Sequence, residues 1–234
     1  MRRKATIIVS SIVALTIGCA GSKQIISKDI PDLAQGIAIT GPAERSICRA
    51  YWPDKTLMAE GPVAGNRKNG LWKLYFEGSN PSQVMAEMTF MNDLLDGKLK
   101  EYYPSGKTRS ETEYKNGVRN GRHVVYYESG IGMIEEYYRD GVKSGKSFEY
   151  YETGTTKENS YFQNGVRNGV STIFYPNGKR QALGRYSNGK KNGTWEHYDE
   201  TGMLISRGPY ANGKKTGTWS YYDRTGKVEE KEFD

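Results

Sequence analysis

Two cysteines and two histidines are the side chains in this 234-residue chain best suited to nucleophilic, acid–base or metal chemistry. They do not assemble into a pattern. His123 and His197 are isolated in sequence, and no HExxH, CxxC or clustered His spacing accompanies them, so no metal site is expected. Cys48 has no histidine nearby in sequence to activate it, and it reads as a small, semi-buried hydrophobe near the start of the fold. No G-x-S-x-G elbow is present. The Gly-rich segments, such as Gly165 to Gly169, lack the strand–GxxxxGK[ST]–helix context of a phosphate loop. The carboxylates form no recurring pair. A non-enzymatic chain without cofactors is the expectation.

Cys19 stands apart because of what precedes it. Arg2-Arg3-Lys4 leads an apolar stretch from Ala5 to Ile17, which is too short to span a bilayer. A basic start followed by a short apolar run is a secretory signal pattern. Its end, Thr16-Ile17-Gly18-Cys19, resembles a bacterial lipobox, although Thr16 stands where Leu is usual and Leu15 lies one residue earlier. The resemblance implies a signal peptide over 1–18, acylation of Cys19, and a lipid-anchored mature chain. Ala20 and Gly21 lack the Asp that marks inner-membrane retention, which implies the outer membrane in a host with two membranes, or the cell membrane in a host with one. Residues 19–45, punctuated by Pro31 and Pro42, read as a lipidated N-terminus and flexible tether. Loss of Arg2, Arg3 and Lys4 lowers the formal charge from +7 to +4. The remaining cations are scattered, so no nucleic-acid partner is expected.

The rest is a repeat. From residue 92 the chain recurs every 24 residues, with copies opening at Asn92, Asn116, Asp140, Asn164, Asn188 and Asn212. An earlier unit over about 65–91 carries extra residues near Gly78–Pro81, and a degenerate half-unit precedes it, so about seven units occupy 46–234. Asn-Gly suits turns that require φ > 0. A short strand ending in aromatics follows, then a second turn with Gly at a fixed place (Gly106, Gly130, Gly154, Gly178, Gly202, Gly226). A second strand ends at Tyr114, Tyr138, Phe162, Tyr186 or Tyr210. Two strands and two turns in 24 residues leave no room for a helix. The expected fold is all-β: an elongated single-layer antiparallel meander of hairpins.

The pattern N-G-x-x-N-G-x-W-x-x-Y-Y-x-x-G…Y, fullest around Trp72, Trp195 and Trp219, resembles the bacterial MORN-repeat variant, a family often labelled as antitoxin. Leu99, His123, Ser147 and Ser171 stand where the Trp would be, and Asp93 replaces a Gly. MORN repeats occur beside enzymes, in membrane-associated scaffolds and alone. The resemblance therefore implies a protein-binding or scaffold module of the cell envelope, or alternatively an antitoxin or immunity protein that neutralises a toxin.

Strand residues alternate between faces. The aromatic that recurs in every copy (Tyr102, Tyr126, Tyr150, Phe174, Tyr198, Tyr222) is assigned to the packed face. The next position, Tyr103, Tyr127, Tyr151 and Tyr175, then falls on the other face as a candidate binding stripe. A bulge would exchange the two faces.

Overall fold

The computed structural model describes residues 46–79 and 83–234. The signal segment 1–18, Cys19 and the tether 19–45 lie outside the described residues, as do three residues of the expected insertion, Asn80, Pro81 and Ser82. The described residues form strands and turns with no helix, and the pairings are antiparallel. Two compact units divide the chain after Gly97.

In the first unit, strand Ser46–Tyr51 pairs with Leu57–Ala64, which pairs in turn with Gly70–Tyr75, and that strand pairs with Val84–Met91. The half-unit obeys the same grammar as its neighbours. Cys48 occupies the place of the repeat's Trp and is fully buried, deeper than the semi-buried place read from sequence. Trp72, in the next copy, is also fully buried and meets Phe90 edge-on at 6.2 Å between ring centroids.

Within the second unit the strands also pair in sequence order, ending with Lys190–Tyr198, Leu204–Ala211, Gly217–Tyr222 and Val228–Phe233. Each hairpin opens with two residues at positive φ, such as Asn116 (50°) and Gly117 (80°), the geometry of a type I′ turn. Asp93 holds this conformation at φ 70°, and its carboxylate accepts a hydrogen bond from the backbone N–H of Lys68 at 2.8 Å. That bond accounts for tolerance of a non-Gly residue here.

A second glycine lies four residues after the turn glycine. At Gly145 (φ 103°) the strand bulges: Lys143 pairs with Tyr138, but the next ladder pair is Ser147 with Glu136. An added Cβ would find space, its nearest neighbour being Tyr137 Cβ at 3.7 Å, so the requirement for glycine is a backbone one. Gly145→Val is expected to cost about 1–3 kcal/mol, the range for a non-Gly residue held in a sparsely populated backbone region. An unchanged denaturation midpoint would show that the bulge relaxes at no cost.

The packed face follows the Trp position. Trp195 and Trp219 are fully buried, and Ser147 and Ser171 are buried in the same place in other copies. Opposite each Trp, the preceding strand carries glycine. A Cβ on Gly184 would stand 2.2 Å from Trp195 ring atoms, and one on Gly208 would stand 2.4 Å from those of Trp219. The indole lies over the bare backbone, and its N–H reaches a carbonyl one residue further on: Trp195 to Arg185 at 3.2 Å and Trp219 to Pro209 at 3.0 Å. Trp72 repeats both features with Gly61 and Pro62. The last hairpin is one residue shorter between Gly226 and Phe233, and its register runs without the bulge seen at His197/Tyr198. That deletion keeps Phe233 against Trp219 at 6.3 Å, edge-on.

Candidate functional site

The face assignment made from sequence is corrected by these contacts. Tyr102, Tyr126, Tyr150, Phe174, Tyr198 and Tyr222 are not on the packed face. Each stands three residues after the Trp position, and an odd spacing along a strand means opposite faces. The geometry agrees: Tyr198 donates to Glu196, two residues back, at 2.7 Å, while Trp195 and His197 share the other side and stack at 6.3 Å. These aromatics are half-buried and stand in one row at the repeat interval.

The following tyrosines have a structural task. The hydroxyl of Tyr103 donates to the carbonyl of Tyr126 at 2.7 Å, Tyr127 to Tyr150 at 2.9 Å, Tyr151 to Phe174 at 2.8 Å and Tyr175 to Tyr198 at 2.9 Å. Each bond spans 23 residues and ties one hairpin to the next. In the first unit Trp52 plays the same part, its indole N–H donating to the carbonyl of Tyr75 at 3.1 Å across the same 23-residue interval. Where Asp199 and Asp223 replace the tyrosine, the carboxylate closes its own turn instead, accepting from Thr201 and Thr225. Those bonds hold both carboxyls below the usual carboxylate range.

The face opposite the tryptophans offers the better surface in the second unit. A groove of about 300 Å³ is lined by Arg122, Val124, Tyr126, Ile131, Glu135 and Tyr150, together with Gly132 and Gly154. Phe148 stacks on Tyr150 at 6.4 Å. One side is set by a bidentate ion pair: Arg122 Nε and Nη2 donate to the two Glu135 oxygens at 2.9 and 3.0 Å, and Tyr137 donates to the same carboxylate at 2.7 Å. The guanidinium lowers the pKa of Glu135 and the carboxylate raises that of Arg122, so the pair stays charged at neutral pH. Burial, then the nearby Glu111, pushes the Tyr126 phenol up, which keeps it a neutral hydrogen-bonding group. On the same face, Tyr137, Tyr161, Val170 and Ile205 are exposed large apolar side chains, Tyr161 at 47% and Val170 at 51%.

The Trp-side face carries a different feature, which sequence reasoning missed. A cation recurs four residues before the Trp position and lies over the aromatic rings of the hairpin ends. Lys143 Nζ sits 3.7 Å from the Phe162 centroid, Arg167 5.3 Å from Tyr186, Lys191 4.1 Å from Trp195 and Lys215 4.0 Å from Trp219. Lys68, nearly fully buried, does the same over Trp72 and Phe90 in the first unit. The 24-residue recurrence of Lys or Arg was the signal that could have found this row.

The histidines occupy related but different places. His123 fills the Trp position itself, with Nδ1 2.8 Å from the Thr112 hydroxyl, and burial and then Arg119 depress its pKa. His197 is held down by burial, Lys191 and Lys215. Among the described residues no group of three or more His, Cys, Asp or Glu side chains is placed to hold a metal ion.

Comparison with family models matches the MORN repeat variant at residues 95–116, 167–188, 191–212 and 215–233. These four segments carry the MORN repeat variant, and the segments between the first two matches keep the same period and hairpin grammar. No curated protein matches it. Among solved structures, a chain of the Glycosylation Associate Protein (Gap123) complex from Streptococcus agalactiae is 18% identical, over 43% of this chain and 18% of that one. Its TM-score is 0.28, too low to carry any argument about fold or function.

Proposed function

We propose that this MORN-repeat chain is a non-catalytic module that binds a protein in the cell envelope, held at the membrane through acyl chains on Cys19. The observation that carries the reading is the face opposite the tryptophans. It combines a half-buried aromatic row, an open groove and exposed Tyr161, Val170 and Ile205. Contiguous apolar surface rimmed by fixed polar groups is what protein partners use, and tyrosine anchors carry a large share of such binding energy. The tryptophans are consumed by packing, and the tyrosines at 103, 127, 151 and 175 spend their hydroxyls between hairpins. The binding row is therefore taken to be the aromatics one residue earlier. In a host with two membranes the anchored chain belongs to the outer membrane.

The test is affinity capture of the tagged chain from detergent-solubilised membranes of its own host, compared with Tyr126→Ala/Tyr150→Ala. A stoichiometric partner lost in the double variant is the expected result. A loss of roughly 2 kcal/mol or more in binding is the scale for paired hot-spot tyrosines. A partner retained at full yield by the double variant would remove this face from the account. A captured toxin would make the role immunity, and a captured envelope component would make it scaffolding.

A further inference from the structure

The last two full copies differ from those before them in how the recurring cation is neutralised. Lys143 is paired with Glu136 at 2.6 Å and Arg167 with Glu158 at 2.9 Å. Those acids stand on the Trp-side face of the neighbouring strand. In the next two hairpins the corresponding strand carries Ala182 and Gly184, then Ser206 and Gly208. The glycines are there because the indoles of Trp195 and Trp219 need the space. Lys191 and Lys215 are thus two half-buried ammoniums that make no ion pair with any described residue. Lys215 donates to the Tyr221 hydroxyl at 2.9 Å, which leaves its charge unneutralised. Between the two lysines, His197 lies tilted 5.9 Å from Trp219 and shares a 3.3 Å contact with Ser206. Lys231, opposite Trp219, adds a third cation over Phe233. Glu229 is the carboxylate the register brings to this face, and it pairs with Tyr221, further along the strand.

We propose that this face, around Lys191 and Lys215, binds an acidic peptide segment in the polyproline-II conformation, with carboxylates at every third residue. Charge complementarity comes first: two recessed cations without anions, on an aromatic surface, await a partner with negative charge. Recession argues for side-chain carboxylates over a flat lipid surface, because a carboxylate on a flexible stem reaches between rings and a headgroup plane does not. Spacing then selects the conformation. Equivalent residues in successive hairpins are two strands apart, about 9.6 Å. A polyproline-II helix repeats every three residues at about 3.1 Å each, so one side of it presents a group every ~9.3 Å. A β-strand places same-side groups about 7 Å apart and falls out of step. Aromatic-lined surfaces are also the usual docking ground of polyproline-II segments.

Fluorescence anisotropy with the full chain tests this. The probe is a fluorescein-labelled peptide of four Glu-Pro-Pro triplets, with Gln-Pro-Pro and alternating Glu-Pro peptides as controls. Saturable, salt-sensitive binding of the first peptide alone is expected. Lys191→Gln/Lys215→Gln should weaken it by about tenfold or more, whereas Lys190→Gln/Lys214→Gln, the exposed neighbours with the same loss of charge, should leave it within about twofold. The folded state of both double variants is read from tryptophan fluorescence. Absence of binding, or binding unaffected by the first pair, overturns the proposal. Equal binding of the alternating peptide overturns the spacing argument. Flotation with phosphatidylglycerol vesicles that depends on Lys191 and Lys215, with no peptide binding, replaces the peptide with a lipid phosphate and also overturns it.

Discussion

Gly184→Val is expected to unseat Trp195 and cost about 3–5 kcal/mol, the range for losing a large buried aromatic. The first added carbon would stand 2.2 Å from two indole atoms, far inside van der Waals contact. Gly184 has no left-handed backbone, so the cost is one of space. The indole cannot slide aside easily. Tyr186 meets it edge-on at 5.2 Å, Tyr210 at 6.1 Å, and its N–H is bonded to Arg185. Equilibrium unfolding followed by tryptophan emission gives the cost. In the double variant Gly184→Val/Trp195→Ala the clash is gone, so the two losses should fall well short of adding. Simple additivity would mean that glycine is not there to seat the indole.

Cys19→Ser is expected to move the chain from the membrane fraction to the soluble fraction. A hydroxyl does not replace the thiol as acyl acceptor in the lipobox reading. Each buried methylene of an acyl chain contributes about 0.8 kcal/mol to membrane residence, and one chain alone gives only marginal binding. Losing all the chains at once removes an attachment that a formal charge of +4, scattered over the repeats, cannot replace. Fractionation followed by a high-salt wash reads the result. Retention of the variant on washed membranes would show that something other than Cys19 holds the chain.

The fold was legible because its signals are local. Asn-Gly at positions such as 116–117 demands positive φ, and the recurring aromatics mark strand ends, so the period alone yields hairpins. What sequence reasoning missed depends on relations across hairpins. The face of Tyr126 follows from its three-residue distance to the Trp position, yet His123 fills that position in its own copy and hides the parity. The role of Tyr127 depends on a carbonyl in the next copy, at Tyr150, which no pattern within one repeat discloses. The glycine opposite each Trp sits eleven residues earlier, as Gly184 before Trp195, on a strand assigned to the previous copy. The cation row was visible at 24-residue spacing, from Arg119 to Lys215, but scattered lysines read as solvated charge until their rings are placed beside them.

The central functional claim, that the face opposite the tryptophans is the one a protein partner occupies, is tested most directly by site-specific photocrosslinking in the host envelope. A benzophenone side chain is placed at Tyr126 or Tyr150 on that face, and at Ser171 or Tyr186 on the Trp-side face as comparison. The account predicts a discrete adduct with one protein from Tyr126 and Tyr150, whatever an acidic segment beside Lys191 adds at Tyr186. Adducts from the Trp-side positions alone would contradict it.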